Sequence, residues 1–178
     1  KTAYEIYQCD WSSDVCSSDL RSLTSNVILQ IMELYYMTDI LNEYKFVEIK
    51  IGLEHKFTEK ITNLSLDNFA KLSGDYNPLH MDAEYAKGTK FKKQVCHGML
   101  LASFFSKLVG MYIPGKNALY FSQSLNFQSP CYIDDIVIVR GEVIDKSDST
   151  RIITMKTSIH NQQGICLIDG IAKVVIRQ

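Results

Sequence analysis

The sequence predicts an α+β domain in which a curved antiparallel β-sheet wraps one long buried helix. Two observations carry this. From Met99 onward, Met99, Leu100, Leu101, Phe104, Phe105, Leu108, Val109 and Met111 cover nearly every face of a helix of about 14 residues, and a helix that is apolar all round is a buried one. After Gly115 the pattern changes. Leu119–Phe127, Asp135–Asp145, Arg151–Asn161 and Ile165–Ile176 are rich in Ile, Val, Thr and Phe. Lys146–Thr150 and Gln162–Gly164 between them are polar turns suited to antiparallel hairpins.

The elements follow in order, after one subtraction. Lys1–Ile6 and Asp10–Leu20 read, in one frame, like two parts of a translated sequencing primer. Residues 1–20 are therefore expected to be a non-native, adapter-derived tail, set apart from the fold; the alternative is an ordinary Ser/Asp-rich tail. Residues 21–45 form an uncertain extension. Val27, Ile28, Ile31, Leu34 and Tyr35 have helical spacing there. The domain proper is expected over 46–178. It begins with a strand over His55–Ile61. A helix follows, with Ser65 as its expected cap and Leu66, Phe69, Ala70 and Leu72 on its apolar stripe. Gly74 ends it and delivers Asp75 just beyond its C-terminus. Asp82 is expected to cap a short helix that closes near Gly88. Pro114 and Gly115 end the buried helix, and Pro130 belongs at a sheet edge or strand start. This order describes a hotdog fold. One sheet around one helix leaves apolar surface uncovered, so a homodimer is expected.

Composition removes several function classes. Setting aside the tail removes one Lys and four acidic residues, which moves the formal charge from -1 to +2. A near-neutral chain gives no reason to expect a nucleic-acid or membrane partner. Three cysteines remain, Cys96, Cys131 and Cys166, with no Cys-x-x-Cys pair. That opposes a disulfide framework or a structural zinc site and suits a reducing, cytoplasmic setting. No run is long enough to span a bilayer.

The chemistry-bearing stretch is Ser73–Gly74–Asp75–Tyr76–Asn77–Pro78–Leu79–His80–Met81–Asp82. The residue before a proline is pushed out of the helical region, so Asn77–Pro78 makes a turn. That turn lets Asp75 and His80 face one space, as a general acid/base pair requires. A plain turn with a capping Asp fits the stretch alone equally well. At the head of the buried helix, Gly98 presents free N–H groups and a positive dipole end. His97 reads as holding the loop before that helix, and Tyr85 and Tyr120 as packing. Ser103 and Ser106 could simply bond back to their own helix. The run Lys87, Lys90, Lys92 and Lys93 reads as a solvated loop or as a landing site for an anion such as a nucleotide phosphate.

Over about residues 46–176 the chain resembles the MaoC-like, (R)-specific enoyl-CoA hydratase family. The resemblance rests on Ser73–Asp82, on His97–Gly98–Met99–Leu100–Leu101–Ala102–Ser103, and on Tyr120–Phe121–Ser122–Gln123–Ser124–Leu125. It implies reversible addition of water to trans-2-enoyl-CoA, giving (R)-3-hydroxyacyl-CoA. Asp75 and His80 would hold and activate the water, and the Gly98 N–H would bind the thioester oxygen. Asn77 and Ser106 would orient the pair or contact substrate. No metal and no cofactor are implied, coenzyme A being part of the substrate. The alternatives are a 3-hydroxyacyl dehydratase acting on a carrier-bound or specialised substrate, and a non-catalytic acyl-CoA-binding module.

Overall fold

The computed structural model describes residues 41–177. The expected tail over 1–20 and the helical spacing over Val27–Tyr35 lie outside the described residues. The first described segment is tied to the body by its backbone. Asn42 N–H donates to Met111 O at 2.8 Å, Tyr44 N–H to Pro114 O at 3.1 Å, and Lys116 N–H to Asn42 O at 2.9 Å. A 3-10 turn, Phe46–Glu48, then buries Phe46.

Strand β1 is Glu54–Lys60. Helix α1, Asn63–Ser73, is capped by Thr62, whose hydroxyl accepts the Ser65 N–H at 3.1 Å. The cap is thus three residues earlier than expected, because Thr62 holds the extended backbone that a cap needs while Ser65 already lies inside the first turn. Gly74 closes α1 in the left-handed conformation, φ 76°, which glycine adopts without steric cost. Two short helices follow, α2 (Pro78–Met81) and α3 (Ala83–Gly88), capped by the side chains of Asn77 and Asp82. Tyr85, expected to pack, is exposed on α3.

Helix α4, Gly98–Lys107, is shorter than its apolar pattern suggested, and a π-helical turn over Leu108–Tyr112 continues it. The remaining strands are β2 (Ala118–Gln123), β3 (Asn126–Phe127), β4 (Ile136–Ser147), β5 (Ile152–Asn161) and β6 (Cys166–Ile176). The expected strand Leu119–Phe127 is therefore two strands. At the break, Ser124 exchanges bonds with Ile171: its N–H donates to Ile171 O, and its hydroxyl accepts the Ile171 N–H, each at 2.9 Å. The side chain stands in for a rung of the ladder, and the register holds from Gln123↔Ala172 to Asn126↔Asp169; the register shift lies earlier, between Tyr120 and Ser122.

The sheet runs in the order β1-β4-β5-β6-β2, with β3 also on β6, and every pairing is antiparallel. Register aligns Phe57, Val139, Ile159, Ile168 and Phe127 in one row across five strands. Side chains alternate between faces with a period of two, so β4 buries Val137, Val139 and Val143 on the face that meets α4. Phe105 and Leu108 fill the space between helix end and sheet. Each such side chain contributes roughly 1.5–3 kcal/mol on burial. One helix wrapped by a curved antiparallel sheet is the hotdog arrangement. No helix among the described residues is long and apolar enough to cross a membrane.

Candidate active site

Two stretches far apart in sequence converge at the N-terminal end of α4. Gly74 turns the chain out of α1, and Asp75 opens the next loop. The Asp75 carboxylate accepts the Asn77 N–H at 3.2 Å, a local turn that fixes its own loop. Asn77 in turn caps α2: its side-chain oxygen accepts the Leu79 N–H at 3.0 Å, and its carbonyl accepts the His80 N–H at 2.9 Å. Asn77 therefore acts on His80 through the helix that carries it, with no side-chain bond to the imidazole.

The His80 ring is held in one orientation. Its Nδ1 lies 2.6 Å from the carbonyl of Val95. A carbonyl only accepts, so Nδ1 carries the hydrogen and Nε2 keeps a lone pair. The ring borders a cavity of about 480 Å³, where that lone pair can take a proton.

His97 ties the two stretches together. It is buried, and its Nε2–H donates to the backbone carbonyl of Asp75 at 3.0 Å. The same nitrogen is 4.0 Å from the Asp75 carboxylate. The His97 ring lies against His80, with centroids 4.0 Å apart and planes tilted by 32°, and meets Phe69 of α1 at 5.1 Å. One donor atom each from Asp75, His80 and His97 lies within 4.8 Å of the others. These three are the residues that could share a metal ion. Each ring directs one N–H to a backbone carbonyl, which fixes its tautomer.

Gly98 is the first residue of α4 and borders the same cavity. Its N–H has no backbone acceptor among the described residues, as expected for the first turn of a helix. A Cβ at this position would lie 2.6 Å from the ring of Phe127, so glycine lets the row that ends in Phe127 close over the helix start. The rest of the cavity is apolar: Met99, Leu101, Leu167 and Ile168 contribute, with Cys96 and Cys131. A hydrogen bond in which the Cys131 S–H donates to Cys96, and then burial, push the Cys131 thiol well above its usual range, which keeps it protonated and a poor nucleophile.

The site is thus an apolar cavity bordered by an oriented imidazole and the free N–H of a helix start, with a carboxylate beside the imidazole. The model of the MaoC-like domain covers residues 46–164. The chain belongs to the MaoC-like domain family. It is 37% identical over 126 residues to an (R)-specific enoyl-CoA hydratase from Aeromonas caviae, covering 71% of this chain and 94% of that one. It is 32% identical over 131 residues to a mitochondrial 3-hydroxyacyl-[acyl-carrier-protein] dehydratase from Arabidopsis thaliana, covering 72% and 78%. In structure it resembles an unliganded R-hydratase from Pseudomonas aeruginosa, with a TM-score of 0.74, 33% identity, and coverage of 78% and 88%.

Within this MaoC-like domain the structure gathers Asp75, His80 and Gly98 at one place and keeps Ser106 apart. Ser106 is exposed, about two turns along α4 from Gly98. No hydrogen bond joins it to Asp75 or His80 among the described residues. Ser103 bonds back to Leu100 O at 2.6 Å. Two parts of the site carried no sequence signal of their own. The carbonyl of Val95 sets the His80 tautomer, and backbone atoms are invisible to motif reading. Phe127 and Ile168 reach the cavity only through strand register.

Proposed function

We propose that this MaoC-like domain adds water reversibly to trans-2-enoyl-CoA, giving (R)-3-hydroxyacyl-CoA. The observation that supports it is the gathering of three groups: His80 and the first residue of α4, Gly98, border one apolar cavity, and the Asp75 carboxylate lies within 4.8 Å of a His80 ring nitrogen. The acyl chain lies in the cavity, and the thioester oxygen points to the start of α4. Water sits between Asp75 and His80. His80 Nε2 takes one proton as the water oxygen bonds to Cβ, and the resulting imidazolium returns a proton to Cα, so the addition balances with no other reactant. Asp75 accepts the second hydrogen of the water and fixes its direction. Positive charge on the oriented N–H groups of α4 stabilises the enolate-like oxygen, an effect worth about 3–4 kcal/mol for one such donor in other enzymes.

The reaction as written uses no metal and no organic cofactor. The working unit in this reading is a homodimer. Leu119 and Phe121 of β2, Phe127 of β3 and Met99 of α4 are exposed in the single chain, and a second copy would cover them. A cytoplasmic setting belongs to the same reading, supported by the free thiols of Cys96, Cys131 and Cys166.

Purified protein added to crotonyl-CoA should lower the ultraviolet absorbance of the enoyl thioester as the double bond is hydrated. Folded protein that leaves the absorbance unchanged across short and medium acyl chains would overturn the assignment.

A further inference from the structure

The acyl cavity accommodates only one end of a coenzyme A thioester. No Lys or Arg lines it, yet the nucleotide end of such a substrate carries several phosphate charges. An unpaired anion among apolar groups is costly, so those charges lie outside the cavity.

The loop that borders the cavity offers a place for them. Residues 87–93 contain Lys87, Lys90, Lys92 and Lys93 and no acid, and all four lysines are exposed. Lys87 has one loose partner, Glu84 at 3.8 Å. Among the described residues no carboxylate pairs with Lys90, Lys92 or Lys93. Two of these ammonium groups rest instead on rings: Lys93 lies 4.3 Å from the centroid of Tyr132, and Lys90 lies 5.1 Å from that of Phe91. Such contacts position a lysine without neutralising it. Lys87, Lys92, Lys93 and Gln94 also border a recess of about 300 Å³, in which Glu84, the loose partner of Lys87, is the one acid against three lysines. The acyl cavity is bordered by Phe91 on one side of this stretch and by Val95 on the other. One loop therefore separates a cationic recess from an apolar cavity. Lys93 and Gly98 are five positions apart in the chain, at most about 18 Å, so one extended thioester can reach both.

The other polar recess does not compete. It lies on β4, β5 and β6, about 290 Å³ in volume, and holds Arg140 and Lys156. Glu142 and Asp169 line it as well, and Arg140 is already bridged to Glu54 and Glu142.

We propose that Lys92 and Lys93, with Lys87 beside them, receive the phosphates of the coenzyme A nucleotide. The proposal rests on the enoyl-CoA reading above. The test compares crotonyl-CoA with crotonyl-pantetheine, which carries the same enoyl thioester and no phosphate. In the K92E/K93E variant KM for crotonyl-CoA should rise on the order of tenfold, with kcat held and KM for crotonyl-pantetheine unchanged. K92A/K93A should show the same direction with a smaller rise. Added salt should raise the wild-type KM for crotonyl-CoA and leave that of the variant nearly flat. Equal effects on both substrates, or none on crotonyl-CoA, overturn the assignment. So does loss confined to carrier-bound substrate, which would make the loop a contact for an acidic carrier protein. Free coenzyme A titrated calorimetrically into both forms reads the loop without turnover. Weaker binding by K92E/K93E supports the proposal even where the hydratase assay is blank, a result that would sink the hydratase reading alone.

Discussion

At the scale of single residues, the site works through hydrogen bonds that decide protonation. In the proposed hydration His80 serves as the base, because the Val95 carbonyl occupies Nδ1 and leaves Nε2 open. Asp75 is useful because its loop is held twice, by its own bond to the Asn77 N–H and by the His97 bond to its carbonyl. His97 thus explains how a half-exposed carboxylate keeps one position. Asp75→Asn keeps the shape and removes the charge; His80→Ala removes the base. Each should lower kcat about 10²–10⁴-fold, the range for loss of one acid/base group, while calorimetric binding of a saturated acyl-CoA persists. Near-normal turnover in either variant would show that the pair does not act on the water. Asp75 and His80 were legible in the sequence because their chemistry is in their side chains. His97 was legible only as a loop holder, since its partner is a backbone carbonyl 22 residues away.

At the scale of elements, helix ends place the site, so their capping matters more than their length. α1 ends at Gly74 and so delivers Asp75 beside His80 and His97, and its start is set by the Thr62 hydroxyl. Thr62→Ala leaves the Ser65 N–H without that acceptor and should cost about 1 kcal/mol in urea unfolding. Ser65→Ala removes only a hydroxyl bonded to Thr62 and should cost less. The reverse order would mean that Ser65 is the cap after all. A sequence reader chooses Ser65 because it immediately precedes the apolar stripe. Choosing Thr62 needs the extended backbone at that residue, which no propensity reports. The same limit split one expected strand into β2 and β3. Residues 119–127 are all acceptable in a strand, and only the bonds between Ser124 and Ile171 reveal the break.

At the scale of the whole molecule, the hotdog order was readable because two periodicities are so unlike: a helix apolar on all sides, then strands that alternate. What the alternation leaves outside the single chain is the more telling part. Leu119 and Phe121 sit two residues apart on one face of β2, and both are more than half exposed; Phe127 beside Gly98 is too. β2 pairs only with β6, so it stands at the end of the sheet path. A long apolar edge is an invitation to further pairing unless something covers it. If a second copy does so, the cover also closes over Phe127 and the entrance that Gly98 and His80 share. Sedimentation velocity should then give a dimer. L119K/F121K should move it toward monomer, since buried like charges at a symmetric contact face each other. Turnover should fall with dissociation and recover as protein concentration is raised. A monomer with full activity would place the complete site within one chain and leave the β2 face for another partner.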